Sequence, residues 1–284
     1  MEVAILLIRC ADQQGLVAAV TTFINHHNGN ILSLEQHVDA EQGTFFMRVE
    51  WDCRRFALSN SEISFTFGAE IGDRFNMDFA VHFSAEKQRM AVFVSKIPHC
   101  FYDILGRWHS GEWQVELPVI ISNHRDMEPV AEKFGIDYHY LPITPDNKVQ
   151  QETKQLALLQ QYNVDFIVLA RYMQVLTEDV IQHYENRILN IHHSFLPAFP
   201  GAKPYHAAHK RGIKIIGTTS HYVTAELDGG PIIEQDVVHV SHTDSVADFI
   251  RKGRDLEKIV LGRAVWKHLQ RKILVDTNRT VVFE

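Results

Sequence analysis

Asn190 and His192 stand two residues apart at the end of the apolar run Ile188 to His192. If that run is a strand, both side chains leave the same face and can converge on one small atom. An amide donor beside an imidazole suits the stabilisation of an oxyanion, where one such donor is worth roughly 10² to 10³ in rate. Asp228 falls at a turn between two β-type runs and is followed by Gly229 and Gly230. These glycines permit close backbone approach and positive φ, as a loop wrapped around a ligand requires. Its carboxylate could hold an imidazolium, position a water and relay protons, a role worth roughly 10² to 10⁴. His221, on the run that precedes the turn, is the candidate to orient it. Between the two groups lies Phe195-Leu196-Pro197-Ala198-Phe199-Pro200-Gly201, whose prolines and glycine make a stiff loop suited to walling a pocket.

The 17 histidines raise the possibility of a metal site, with His192 and His193, His206 and His209, and His239 and His242 as candidate ligands. None of these pairs matches a zinc spacing with a supporting carboxylate, so the expectation is no metal. His206 and His209 read as a helix surface beside the substrate entrance. Cys10, Cys53 and Cys100 are odd in number and widely spaced, and are read as free thiols. A net charge of -7 argues against nonspecific nucleic-acid binding. Lys203, Lys210, Arg211 and Lys214 could hold an anionic substrate or could form a solvated basic face. No apolar stretch approaches a membrane span, and Glu2 stands where a signal peptide would carry basic residues, so a cytoplasmic protein is expected.

A chain of 284 residues, 45% hydrophobic and 22% charged, is read as two soluble domains. From Val3 the pattern runs strand, turn, and a helix on Leu16, Val20, Phe23 and Ile24. Two β-type segments follow, Ile31 to Asp39 and Thr44 to Trp51, then a helix over Ser59 to Ile71 and a strand over Asp78 to Phe83. The order βαββαβ is a ferredoxin-like split unit. The polar run Ser84 to Arg89 is the linker, giving domains 1–84 and 90–284. Beyond it, Met90 to Val94, Leu117 to Ser122, Tyr138 to Leu141, Phe166 to Ala170 and Ile188 to His192 alternate with helical stretches, Val149 to Tyr162 being the strongest. This alternation predicts a Rossmann-like, doubly wound, mostly parallel sheet, and places Asn190 and His192 at the carboxyl end of a strand. Lys214 to Val223 and Pro231 to Val240 read as longer β-runs, and Ser245 to Gln270 as a long helix.

The segments Asn190-Ile191-His192-His193-Ser194-Phe195-Leu196-Pro197 and His221 to Ile233 resemble the signature of the folate-dependent formyltransferases, over about Met90 to Leu269. The resemblance implies that Asn190, His192 and Asp228 are catalytic, with His221 as the family's second histidine. It also implies that Met173, Gln174, Leu176, Thr224, Ala225 and Glu226 lie in the two segments that bind the pterin edge of the folate. His193 departs from the pattern, since the transferases usually carry proline there. The N-terminal unit resembles an ACT domain, which implies an amino-acid effector, bound by loops at Asp12 to Val17 and Asn28 to Asn30, and a homo-oligomer. The ribonucleotide transferases have a glycine-rich turn after the first catalytic strand, which holds the phosphate of the acceptor. Here Val94-Ser95-Lys96-Ile97-Pro98-His99-Cys100 lacks those glycines, so a cradle of backbone N–H groups is hard to form. The expected reaction is therefore hydrolysis of 10-formyltetrahydrofolate to tetrahydrofolate and formate, with the folate as substrate and no permanently bound cofactor. The alternative is formyl transfer to an amine such as glycinamide ribonucleotide.

Overall fold

A computed structural model of the chain describes residues 2–197 and 204–284. It divides into two compact units: Met1–Lys87 with Gln270–Asp276 and Val281–Glu284, and Gln88–Leu269 with Thr277–Thr280.

The first unit contains β1 (Val3–Ala11), α1 (Leu16–His26), β2 (Asn30–Asp39), β3 (Thr44–Asp52), α2 (Asn60–Phe67), α3 (Asp73–Phe75) and β4 (Asp78–Phe83), with a π turn at Gly68–Gly72. The strands form one sheet in the order β2-β3-β1-β4, in which β1 runs antiparallel to both neighbours. This is the expected βαββαβ unit. Alternation along the strands sends Ala4, Leu6, Ile8 and Cys10 of β1 and Phe45, Met47, Val49 and Trp51 of β3 to one face, against Leu16, Val20, Phe23 and Ile24 of α1 and Ile63 and Phe67 of α2. Where the sequence predicts one helix from Ser59, a capping box of Ser59 and Glu62 does start it, but the π turn divides it.

The other face of β3 carries Arg48, only 2% exposed. Its guanidinium donates from Nε to the Arg271 carbonyl at 2.9 Å and from Nη2 to the Gln270 carbonyl at 2.8 Å, and it pairs with Glu50. Arg9 pairs with Asp276 at 3.1 Å, and the Glu284 N–H donates to Glu35. A buried guanidinium requires such acceptors, and the C-terminal tail supplies them. This corrects the boundary 90–284: the tail segments 270–276 and 281–284 belong to the first unit.

The second unit holds β5 (Gln88–Val94), α4 (His99–His109), β6 (Val115–Ser122), α5 (Glu128–Phe134), β7 (Asp137–Tyr140), α6 (Lys148–Gln161), β8 (Phe166–Ala170), α7 (Glu178–His183), β9 (Ile188–His192), α8 (Pro204–Arg211), β10 (Ile215–Tyr222), β11 (Ile232–His239) and α9 (Val246–Leu269). A short hairpin, β12 (Ile273–Asp276) and β13 (Arg279–Val282), ends the chain. The seven strands are ordered β11-β10-β9-β8-β5-β6-β7, parallel from β9 to β7 and antiparallel at the β9–β10 and β10–β11 pairings. The expected mostly parallel sheet is present.

Strands buried on both faces read as continuous apolar runs, as these do. Ala91, Phe93, Val119, Ile121, Ile167 and Leu169 pack with Leu159 of α6 and Val180 and Ile181 of α7. Their chain neighbours face the other way, where the Phe166 ring meets His268 of α9 at 4.5 Å. The chain leaves β5 toward β6 and β7, then returns through α6 to β8 on the opposite side of β5. That reversal is a topological switch point, and the crevice at the carboxyl ends of β5 and β8 is where open α/β sheets bind ligands. Among the described residues no helix is long and apolar enough to cross a membrane.

Candidate active site

Asn190 and His192 occupy the last turn of the pleat in β9, on the face shared with Ile188. The antiparallel pairing of β9 with β10 sets His221 opposite Asn190 and Thr219 opposite His192. A register irregularity between Ser220 and His221 on the β11 side marks a bulge, a device that re-aims a side chain. The Asn190 amide Nδ2 lies 3.2 Å from His221 Nε2, while His221 Nδ1 lies 2.8 Å from the Tyr222 carbonyl. A carbonyl only accepts, so Nδ1 carries a proton and donates; in the neutral ring Nε2 then accepts from Asn190. The cross-strand pair thus fixes the amide, with its second N–H left for another acceptor.

Asp228 completes the cluster. Its Oδ1 is 3.2 Å from His192 Nδ1 and 3.8 Å from His221 Nε2. The bond with His192, and then the proximity of His221, hold its carboxyl well below the ordinary carboxylate range, outweighing the opposing effect of partial burial. His192 Nε2 is buried and has no hydrogen-bond partner among the described residues. A ring fixed by a carboxylate at one nitrogen and unpartnered at the other is arranged to meet a reacting atom at the second.

The loop that carries Asp228 departs from expectation in one detail. Positive φ belongs to Asp228 itself, at 55°, and not to the glycines after it. Aspartate tolerates this left-handed conformation better than most residues. Close approach is the role of Gly230, where a Cβ would lie 1.9 Å from the Tyr222 carbonyl oxygen. The chain folds back onto the end of β10 there, and the Asn278 amide holds the Gly229 carbonyl at 2.8 Å.

The residues assigned to the folate edge lie on two loops. Met173 is exposed and Gln174 half-buried after β8, whereas the side chain of Leu176 joins the core with Tyr172 and Val180, leaving only its backbone for a ligand. Thr224 is half-buried and Ala225 and Glu226 are exposed, in the loop between β10 and β11. Ala198 to Gly201 of the expected stiff loop, and Lys203, lie outside the described residues. Lys210, Arg211 and Lys214 are exposed.

Sequence reasoning missed a polar chain across the strand ends. Ser95 Oγ donates to Asn123 Oδ1 at 2.7 Å and accepts from the Met173 N–H at 3.2 Å. It ties together the ends of β5, β6 and β8, and so sets the start of the segment assigned to the folate. The available signal was the polar residue that follows each apolar run. The cysteines are free, as expected. None of the three histidine pairs forms a metal-capable group; among the described residues that description fits only His99, Cys100 and Glu257, where His99 Nε2 and Glu257 Oε2 already bond to each other at 2.8 Å. His206 and His209 are exposed on α8. His193 is buried, its ring 5.2 Å from that of His192 and 5.8 Å from that of Tyr205.

An asparagine, a histidine and an aspartate gathered at the strand ends of a mostly parallel sheet, after a βαββαβ unit, define a formyl-transferase-fold enzyme with an ACT-type domain. The formyl transferase family matches residues 88–265 and the ACT domain residues 4–52. A formyltetrahydrofolate deformylase of Synechocystis sp. is 56% identical over 99% of this chain and 98% of its own length. The crystal structure of a formyltetrahydrofolate deformylase from Pseudomonas syringae pv. tomato superposes with a TM-score of 0.98 at 44% identity, covering 100% of this chain and 95% of that one. The structure of glycinamide ribonucleotide transformylase 1 from Symbiobacterium toebii gives a TM-score of 0.66 at 29% identity, covering 72% of this chain and 97% of that one. The chain belongs to the formyltetrahydrofolate deformylase family.

Proposed function

We propose that this protein hydrolyses 10-formyltetrahydrofolate to tetrahydrofolate and formate, acting as a hydrolase on a linear amide C–N bond. The observation that carries the reading is the placement of His192, between a carboxylate at Nδ1 and an unpartnered, buried Nε2, beside the Asn190 amide. A formyl group on an arylamine nitrogen is an activated amide. Its hydrolysis needs a water nucleophile, a stabilised oxyanion and a proton for the leaving nitrogen.

Asn190 Nδ2 and His192 Nε2 donate to the formyl oxygen as it becomes an oxyanion. Asp228 holds the imidazolium and positions the water, taking its proton as the C–O bond forms. The proton then passes to the leaving nitrogen as the C–N bond breaks, so that one water is consumed for one formate released. His221, locked by the Tyr222 carbonyl, keeps the Asn190 amide and the Asp228 carboxylate in register. The pterin edge is met by the backbone of Met173 to Leu176 and of Thr224 to Asp228. Every catalytic role falls to side chains of the protein, with no metal and no permanently bound cofactor.

In the cell, the formate supplies purine biosynthesis and the reaction balances the one-carbon folate pool, in the cytoplasm. The ACT unit binds an amino-acid effector and pairs between chains in a homo-oligomer. Hydrolysis in ¹⁸O-labelled water tests the chemistry: formate carrying one labelled oxygen supports direct attack by water, and unlabelled formate contradicts it.

A further inference from the structure

One face of α6 buries Gln151, Glu152, Gln155 and Leu159, residues spaced as a single helical stripe. A stripe that only filled space would be apolar throughout, as it is at Leu159. Its first two turns are polar instead, with Glu152 3% exposed and Gln155 0% exposed. Gln151 Oε1, Glu152 Oε2 and Gln155 Oε1 have no hydrogen-bond partner among the described residues. Buried acceptors of this kind lower stability where apolar side chains of similar shape would not. The polar stripe therefore calls for a task that leucines could not perform.

What the stripe meets is the segment that leaves β8. Glu152 Oε1 accepts from the Thr177 N–H at 3.2 Å, and Gln155 Nε2 donates to Tyr172 Oη at 3.1 Å. The Tyr172 ring is itself buried and meets Phe93 edge-on at 5.2 Å. Burial pushes its hydroxyl well above the ordinary tyrosine range, so the oxygen stays protonated. At the other end, Ser95 Oγ takes the Met173 N–H. The segment is thus pinned on both sides by buried side chains. Between the pins, among the described residues, Gln174, Val175 and Leu176 make no backbone–backbone hydrogen bond. These are the groups assigned to the folate edge. Backbone left free for a ligand has no ladder to fix its conformation, so side chains from elsewhere have to hold it.

We propose that Glu152 is a positioning residue for substrate binding: by holding the Thr177 amide from α6 it keeps the backbone of Gln174 to Leu176 in the conformation that meets the pterin edge. This deepens the folate assignment of that segment and rests on it. Glu152 touches no reacting atom, since Asn190 and His192 stand on β9 and Asp228 follows β10. Its loss therefore acts on affinity and leaves the chemical step alone. If the segment is then competent only about a tenth of the time, the apparent Kd rises about tenfold.

The test uses the full-length protein, equilibrium titration with tetrahydrofolate, and steady-state kinetics. Glu152→Met keeps the length of the side chain and removes both oxygens; Kd and KM should rise about tenfold while kcat stays within about threefold of wild type. Glu152→Gln retains an acceptor and should restore affinity to within about threefold. Leu159→Ala, on the same stripe, destabilises through a cavity alone and should leave affinity within about twofold. Thr177→Pro deletes the N–H from the other side, at a φ of -74° that proline adopts, and should weaken binding as Glu152→Met does. It decides the matter if Glu152→Met is recovered only as insoluble protein. Wild-type affinity in either folded variant, or an equal loss in Leu159→Ala, overturns the proposal. Hydrogen exchange separates this from the folate assignment itself. Tetrahydrofolate should slow exchange at Gln174 to Leu176 in the wild type. Slowing there with unchanged affinity in the variants overturns the role of Glu152 alone, whereas no slowing removes the folate assignment and the positioning role with it.

Discussion

Asp228→Asn removes one charge and changes almost no volume, which makes it the cleanest perturbation of the site. Asp228 Oδ1 lies 3.2 Å from His192 Nδ1. At an effective dielectric of about 20, a charge pair at that distance is worth about 5 kcal/mol. At 1.36 kcal/mol per factor of ten, complete loss of it from the transition state would slow turnover by up to about 10⁴. The asparagine amide retains part of the hydrogen bonding, so a loss of about 10² to 10⁴ in kcat is expected, with folate affinity within about threefold of wild type. Single-turnover formate release measures the first, and equilibrium titration with a non-hydrolysable folate measures the second. The same substitution has a signature in stability. Because the folded carboxyl is held below its ordinary range, its contribution is fully present above the unfolded pKa of about 4 and is lost as pH falls through the folded pKa. The stability gap between wild type and Asp228→Asn should therefore be constant near neutrality and shrink in acid. Turnover within tenfold of wild type, or a gap that widens in acid, would remove Asp228 from these roles.

Asn190→Ala and His192→Ala should each lower kcat by about 10² to 10³, and the double variant should lose much less than the product of the two, because both residues act on one oxyanion. Full multiplicativity in steady-state kinetics would separate their roles. Gly230→Ala cannot be accommodated without moving the Asp228 loop, given the 1.9 Å approach to the Tyr222 carbonyl. It should cost about 1 to 3 kcal/mol in denaturant unfolding and reduce turnover more than any substitution at exposed Ala225. Dialysis against a strong chelator should leave formate release unchanged, and activity lost on chelation but restored by zinc would return the reaction to a metal centre.

Much of this molecule was legible in its sequence because strand alternation and helix periodicity are local signals. The runs at Phe166 to Ala170 and Ile188 to His192 read as strands with the bounds they have, since buried parallel strands are continuously apolar between polar turns. Asn190 and His192 were legible for the same reason: spacing within one strand fixes their common face. The contact of Asn190 with His221 was not, because it depends on the register of β9 against β10, which no local pattern encodes. The fate of the tail was hidden too. Arg48 reads as a polar residue of an alternating strand, and only the tertiary structure shows its guanidinium buried beneath the Gln270 and Arg271 carbonyls. Glu257 looks like one more surface charge on a long helix until Tyr205, His99 and Arg171 are brought to it from separate parts of the chain.

Whether water is the acceptor is decided by supplying 10-formyltetrahydrofolate with and without glycinamide ribonucleotide, following free formate and formylated product together. Formate release at catalytic rates without any acceptor, unchanged when the ribonucleotide is added, is expected of a hydrolase. Formate that stays at background while formylated ribonucleotide accumulates only in its presence would contradict it.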